Sequence, residues 1–272
     1  MLTRILVPID FTERSTQAAR YAGSMAERFG AELVLTHVME PVLLNYAMIE
    51  PKEELFQSSE AAGRRRIQQQ LDEFAETEFA GRQVARLVLE GDPADQILCA
   101  SRREKADVIV MPTRGSSRMR QFLIGSVTAK VLHDAPVPVW TGVHLHQNAN
   151  FPEFRFSEIL CAIDFGSQAG AVVRYAARLA QEFSARLTVL HVAEGSATGT
   201  HARIQALLGP LRVEATVRVD AGIPHKVVAA TAGQMHADVV VIGRACSTGM
   251  MGRLREQAYG IVRDSPCPVL SV

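Results

Sequence analysis

Little in this chain of 272 residues points toward a membrane, a polyanion or a disulfide scaffold. Its four cysteines, Cys99, Cys161, Cys246 and Cys267, form no close pair and no CxxC. A disulfide framework is therefore a poor fit, and a reducing compartment is expected. Cys99 and Cys161 lie in apolar segments, where burial as small thiols is expected. No apolar run approaches the roughly 18 residues of a membrane span. Neither sign of charge is in excess, with 29 basic against 29 acidic residues, so nothing favours nucleic acid or an anionic membrane as partner. A small anionic ligand needs only a local patch and stays open. A P-loop with its lysine is missing. So are the SGGxDS-like loop of adenylating enzymes and the acidic pair of a phosphoacceptor receiver, the position after the first strand reading Asp10-Phe11-Thr12-Glu13-Arg14-Ser15. Met1 leads directly into the strand-like Arg4-Ile5-Leu6-Val7, so no signal peptide is expected. A cytoplasmic location is expected.

What the chain does contain, it contains twice. Asp10, Arg20-Tyr21-Ala22 and His37-Val38 recur as Asp164, Arg174-Tyr175-Ala176 and His191-Val192 at an offset of 154. Gly91, Pro93 and Ala106-Asp107-Val108 recur as Gly222, Pro224 and Ala237-Asp238-Val239 at 131. Asp134, Pro136, Pro138 and Val139 return as Asp264, Pro266, Pro268 and Val269 at 130. One order at shrinking offsets means two copies of one domain, the second carrying deletions. The expected division is 1–143 and 158–272, joined by a linker at 144–157.

Each copy alternates short β-branched runs with helical patterns, the signature of a parallel sheet with crossover helices. Strands are expected at Arg4–Ile9, Leu33–Val38, Val84–Leu89, Val108–Met111 and Val137–Trp140. Their counterparts are Ile159–Ile163, Leu187–Val192, Ala215–Val219, Val239–Ile242 and Val269–Val272. Thr12 or Ser15 suits the cap of the first helix, Gly30 its stop, and Pro93 the first turn of another. Glu53–Phe79 predicts a solvated amphipathic helix. The linker reads as polar and solvated; its His144 and His146 form an HxH pair with no third metal ligand nearby in sequence. His225 is expected to be exposed.

Ligands of open parallel sheets sit outside the carboxyl ends of the strands, where strand order reverses. Here strand one ends in Pro8-Ile9-Asp10, strand two in His37-Val38, and strand four in Met111-Pro112-Thr113-Arg114-Gly115. Gly125-Ser126 then opens a helix, whose free amides and dipole favour phosphate. Arg114, Arg118 and Arg120 supply local positive charge, and Asp10 suits a ribose hydroxyl or a base edge. These features converge on a nucleotide.

Pro8-Ile9-Asp10-Phe11, His37-Val38, Gly115-x9-Gly125-Ser126 and Ala135-Pro136-Val137-Pro138-Val139 together resemble the universal stress protein family, in a tandem form covering nearly the whole chain. The resemblance implies two Rossmann-like, adenine-nucleotide-hydrolase-like α/β domains, each a five-stranded parallel sheet flanked by helices; it also implies that the closing strands, Pro138–Thr141 and Pro268–Val272, pair within one chain and bury an otherwise exposed rim. The family's nucleotide-binding subgroup carries G-x2-G-x9-G-[ST]. By resemblance, Pro8, Asp10, Val38 and Met111 would contact adenosine; Gly115, Gly125, Ser126 and Val127 would contact phosphates. The ligand would be ATP or AMP, with or without Mg2+. The first glycine of the motif is Pro112 here, which has no amide to donate.

The second copy keeps Asp164, Val192 and Gly243, but Pro8 becomes Ala162, Gly115 becomes Cys246, and Gly125-Ser126 becomes Arg255-Glu256. A carboxylate at the helix start would repel phosphate, so this site reads as degenerate. Cys246, close to Arg244 and Arg253, leaves a redox thiol open. A nucleotide-sensing regulator with at most slow ATP hydrolysis is the leading expectation. The alternative is an interaction scaffold without nucleotide, an intramolecular pseudo-dimer whose second domain takes a different ligand or a protein partner. Further pairing of whole chains into a homodimer is compatible with both.

Overall fold

Short β-branched runs form strands and the 3.6-residue patterns form helices, at boundaries one or two residues from those expected. The computed structural model describes residues 2–40, 53–113, 124–142, 154–193, 198–244 and 251–272, the side chains of 53–60 and 251–256 excepted. The first half runs β1 (Arg4–Pro8), α1 (Glu13–Phe29), β2 (Glu32–Met39), α2 (Glu53–Glu78), β3 (Val84–Glu90), α3 (Pro93–Arg103), β4 (Val108–Val110), α4 (Ser126–Asp134) and β5 (Val139–Thr141). The second repeats it as β6 (Glu158–Ile163), α5 (Ala169–Phe183), β7 (Arg186–Ala193), α6 (Thr200–Leu208), β8 (Ala215–Ala221), α7 (Pro224–Gln234), β9 (Val239–Ile242), α8 (Met251–Asp264) and β10 (Val269–Ser271).

The strands make one sheet in the order β3-β2-β1-β4-β5-β10-β9-β6-β7-β8. Each half is parallel. At the centre β5 and β10 run antiparallel, Val139, Trp140 and Thr141 standing opposite Ser271, Leu270 and Val269. The closing strands thus pair within one chain, and neither leaves an open rim. Order reverses between β1 and β4 in one half and between β6 and β9 in the other, placing a crevice at each switch point.

Alternation along each strand divides the core between the two faces. Ile5 and Val7 join the cluster under α1, α2 and α5, while Leu6 joins that under α3, α4, α7 and α8. Helix α1 starts at Thr12, whose hydroxyl accepts from the Ser15 amide at 3.3 Å. It ends at Gly30, which takes the left-handed conformation (φ 64°) that a side chain resists. Helix α2 is amphipathic, burying Leu71, Ala75 and Phe79 one turn apart. Phe79 lies so close to α1 that a Cβ on Gly23 would meet its ring at 2.6 Å.

A carboxylate before β4 ties down the start of β1. Asp107 accepts from the Thr3 amide at 2.6 Å, the Thr3 hydroxyl at 2.7 Å and the Arg4 amide at 2.9 Å. Asp238 repeats the device on the Ser157 and Glu158 amides, at 2.6 and 2.9 Å. Burial pushes the Asp107 carboxyl up, but the donors from Thr3 and Arg4 outweigh it and hold the group below the ordinary aspartate range.

Three expectations are corrected. Cys99 is exposed, because α3 buries Ala94, Ile97, Leu98 and Ser101 and position 99 falls on the opposite side of the turn. Cys161 and Cys267 are buried. The end of the joining segment is not solvated: Phe154 and Phe156 are 7% and 4% exposed. Phe156 stacks on Trp140 at 5.8 Å, and Phe154 meets Tyr21 edge-on at 5.3 Å. The polar residues before them masked this anchor. His225 is half-buried between α7 and α8, with Nδ1 3.0 Å from Gln257 Oε1. His144 and His146 lie outside the described residues. Among the described residues no helix is long and apolar enough to cross a membrane.

Candidate functional site

The first wall of the crevice is the turn from β1 into α1. The Ile9 amide continues the ladder to Thr36 O at 2.8 Å, after which the chain leaves the sheet. Asp10 Oδ1 accepts from the Thr12 amide at 3.1 Å and the Thr12 hydroxyl at 2.5 Å, closing an Asx turn. That turn holds Phe11 at φ 58°, a conformation a bulky residue adopts only when its surroundings impose it. The Phe11 ring rests on His37, centroids 4.8 Å apart. His37 Nδ1 lies 2.7 Å from Ile9 O, so Nδ1 carries the proton and donates.

The second half reproduces this wall. Asp164 Oδ1 accepts from the Gly166 amide at 2.8 Å, and Phe165 sits at φ 60°. Its ring rests on His191 at 4.6 Å, while His191 Nδ1 donates to Ile163 O at 2.9 Å. One explanation therefore covers the duplicated Asp-Phe and His: they lock the strand-to-helix turn. Sequence reasoning assigned Asp10 to a ligand and left Phe11, Thr12 and His37 without that structural role. The recurrence of Phe11 as Phe165 was the available signal.

The opposite wall joins β4 to α4. Met111, 4% exposed, donates to Trp140 O at 3.0 Å. Thr113 O accepts from the Gly125 amide at 3.0 Å, and Pro112 O accepts from the Thr128 hydroxyl at 3.1 Å. These two bonds clasp the start of α4 against the end of β4. Gly125 is the N-cap, with ordinary dihedrals (φ −61°, ψ 145°) and no side-chain hydrogen bond to the helix. The backbone conformation therefore does not itself require a glycine here. Ser126 is exposed at the first helical position. Among the described residues no side chain caps this end, and the first-turn amides of Ser126, Val127 and Thr128 have no partner within the helix. The amides of Ile109 and Met111 both point to β5. The position between Met111 and Thr113 therefore faces the β1 side, where Pro112 offers no donor.

Of the expected contact residues, Pro8 ends β1 and Asp10 lies two residues beyond it, Val38 lies near the end of β2, Met111 follows β4, and Gly125, Ser126 and Val127 open α4. Val38 and Val127 pack on the same apolar cluster as Met111. Gly115 lies outside the described residues, with Arg114, Arg118 and Arg120. Lys130, the charged residue of α4 nearest the crevice, is engaged by Asp95 at 2.7 Å and Asp92 at 3.2 Å. Those carboxylates, Asp95 first, raise its pKa. Among the described residues no cluster of His, Cys, Asp and Glu could hold a metal ion.

The second crevice is built differently from the expectation. Helix α8 begins at Met251, five residues before Glu256, whereas α4 begins at Ser126. Arg255 and Glu256 thus belong to its second turn. The expected carboxylate at the helix start is corrected accordingly; the residue count between β9 and β10 did not reveal an earlier start. The Asp164 and Val192 positions keep their places at the ends of β6 and β7, and Gly243 follows β9. A Cβ on Gly243 would meet Val172 at 3.2 Å and Gln168 Oε1 at 3.6 Å, so α5 crowds this crevice. Cys246 lies outside the described residues.

Comparison with known proteins agrees with this architecture. The model of the Universal stress protein family matches residues 1–141 and 155–205. A universal stress protein of Thermus aquaticus is 36% identical over 141 residues, spanning 51% of this chain and 97% of the relative. One from Methanocaldococcus jannaschii is 28% identical over 143 residues, spanning 50% and 79%. The crystal structure of a universal stress protein from Archaeoglobus fulgidus superposes with a TM-score of 0.70 at 25% identity, covering 98% of this chain and 95% of its own.

Proposed function

The chain belongs to the universal stress protein family, and from that premise we propose that its first half binds an adenine nucleotide and reports it in a stress response. The observation that carries this reading is the uncapped start of α4, clasped to the end of β4 beside the switch point. Its free amides and the positive end of the helix dipole suit phosphate. Val38, Met111 and Val127 give a purine an apolar shelf, with Pro8 and Asp10 opposite. Gly115 would complete the phosphate cradle. The ligand is ATP or AMP, with Mg2+ accompanying the triphosphate. Hydrolysis is slow at most, because no P-loop lysine is present to stabilise transferred charge. Domains 1–143 and 158–272 divide the work: the first senses, and the second, through Asp164, Val192, Gly243 and Arg255, holds only a degenerate site. A cytoplasmic setting belongs to the same proposal.

Titration calorimetry with ATP and AMP on wild type and on Gly125→Glu tests the site. Binding by wild type that the substitution abolishes is expected; binding that survives it removes α4 from the site. A second reading, a nucleotide-free interaction scaffold, is favoured by Pro112, which withholds one amide from the crevice. Thermal unfolding that does not respond to any adenine nucleotide selects that reading.

A further inference from the structure

The two halves do not treat each other alike where α4 and α8 meet. Tyr259, on α8, donates its hydroxyl to Ala129 O at 2.9 Å. Arg244, just beyond β9, donates from its guanidinium to Ala135 O, the C-cap carbonyl of α4. Both donors come from the second half and both acceptors lie on the first half's helix. The equivalent positions of the first half carry different side chains. At the offsets of 130 and 131, the counterparts of Tyr259 and Arg244 are Ala129 and Thr113; Ala129 has no side-chain donor, and Thr113 is short and buried.

Thr128, Val131 and Leu132 bury one side of α4 in the core, but its packing against α8 is incomplete. A cavity of about 20 Å³ remains between the helices, lined by Leu132, His133, Ala258 and Val262 together with the two donors. That space is on the order of one water, and a gap of this kind forfeits the close contacts that would lock a helix by shape. Directional bonds add to that packing in setting the orientation of α4. At the front are Thr128 to Pro112 and Gly125 to Thr113; along its length are Tyr259 and Arg244.

We infer that the second half clamps the phosphate-facing helix of the first, with Tyr259 and Arg244 as positioning residues for nucleotide binding. The inference rests on the nucleotide reading above and deepens it by giving the degenerate copy a regulatory task. An unclamped α4 samples orientations in which its first-turn amides miss the crevice, and apparent affinity falls by the fraction of time so spent. Any event that draws Arg244 away from Ala135, including an anion lodged beside Gly243, would then weaken nucleotide binding across the seam.

The test uses the full chain with Tyr259→Phe, which keeps the ring, and Arg244→Met, with Arg244→Lys as the conservative rescue. Two quantities are read: ATP affinity by calorimetry, and amide hydrogen exchange over residues 126–131 without nucleotide. Loss of one hydrogen bond predicts affinity weaker by about threefold to tenfold in the Phe and Met variants, with faster exchange and partial recovery in the Lys variant. If wild type binds ATP and both variants bind within about twofold of it, the clamp is overturned and the nucleotide reading stands. If wild type does not bind, the nucleotide reading falls. The exchange rates then decide the clamp: unchanged rates in Tyr259→Phe overturn it, and faster rates uphold it.

Discussion

Replacing Ser126 by glutamate pushes stability and binding in opposite directions, which separates a phosphate site from a mere helix start. Ser126 is exposed at the first position of α4, and no side chain caps that end. A negative charge there meets the positive end of the helix dipole and stabilises by about 0.3–1 kcal/mol. For a domain of this size that raises the melting temperature by roughly 1–3 °C. A phosphate drawn to the same amides meets the new carboxylate at about 5 Å. Per unit charge the repulsion is about 0.8 kcal/mol in a water-like medium and about 3 kcal/mol at an effective dielectric of about 20. Affinity should fall by at least about fourfold, and by more than about a hundredfold if the crevice excludes water. Ser126→Gln, similar in size and uncharged, should do neither. Thermal unfolding by circular dichroism and calorimetric titration with ATP at low salt read the two effects, and added salt should shrink both. A glutamate variant that melts higher yet binds ATP as wild type does places the phosphate elsewhere. One that melts lower denies that the helix begins at Ser126.

Asp107→Asn replaces a carboxylate that accepts three hydrogen bonds and should cost about 1–3 kcal/mol in urea unfolding. Because the folded carboxyl lies below its ordinary pKa, its contribution is present above the unfolded value. It is lost as pH falls through the folded one, so the gap between variant and wild type should close below about pH 4. Phe154→Ala should destabilise by about 3–5 kcal/mol, since the ring is 7% exposed amid Tyr21, Phe29, Trp140, Phe156 and Phe183; a loss under about 1 kcal/mol contradicts its anchoring role. In a Cys246→Ser background, a thiol reagent should modify Cys99 in the native protein. Cys161 and Cys267, pushed up by burial to about 12 and about 11, should react only on unfolding.

The repeat made the fold legible, because residues matching at steady offsets must occupy equivalent places and the β-branched runs between them allow only strands. The pairing of β5 with β10 was legible through the family resemblance, and its antiparallel sense only in the structure. The site was legible in its parts but not in all its roles. Asp10 could be placed at a strand end, yet its engagement by Thr12 depends on Phe11 turning left-handed, which no local pattern announces. Cys99 was misread because an apolar neighbourhood in sequence does not say which side of a helix a residue takes. The early start of α8 was hidden because the spacing of the flanking strands, one residue shorter than in the first half, does not say where a helix between them begins. Phe154 and Phe156 escaped notice among polar neighbours, although two phenylalanines beside a linker seldom stay in water.

The central claim is an asymmetry: two copies of one fold, one anion-binding helix start. Calorimetric titration of the intact wild-type chain with ATP tests it most directly. The expected stoichiometry is one nucleotide per chain, abolished by Gly125→Glu. Two per chain, or one that persists after that substitution, would contradict it.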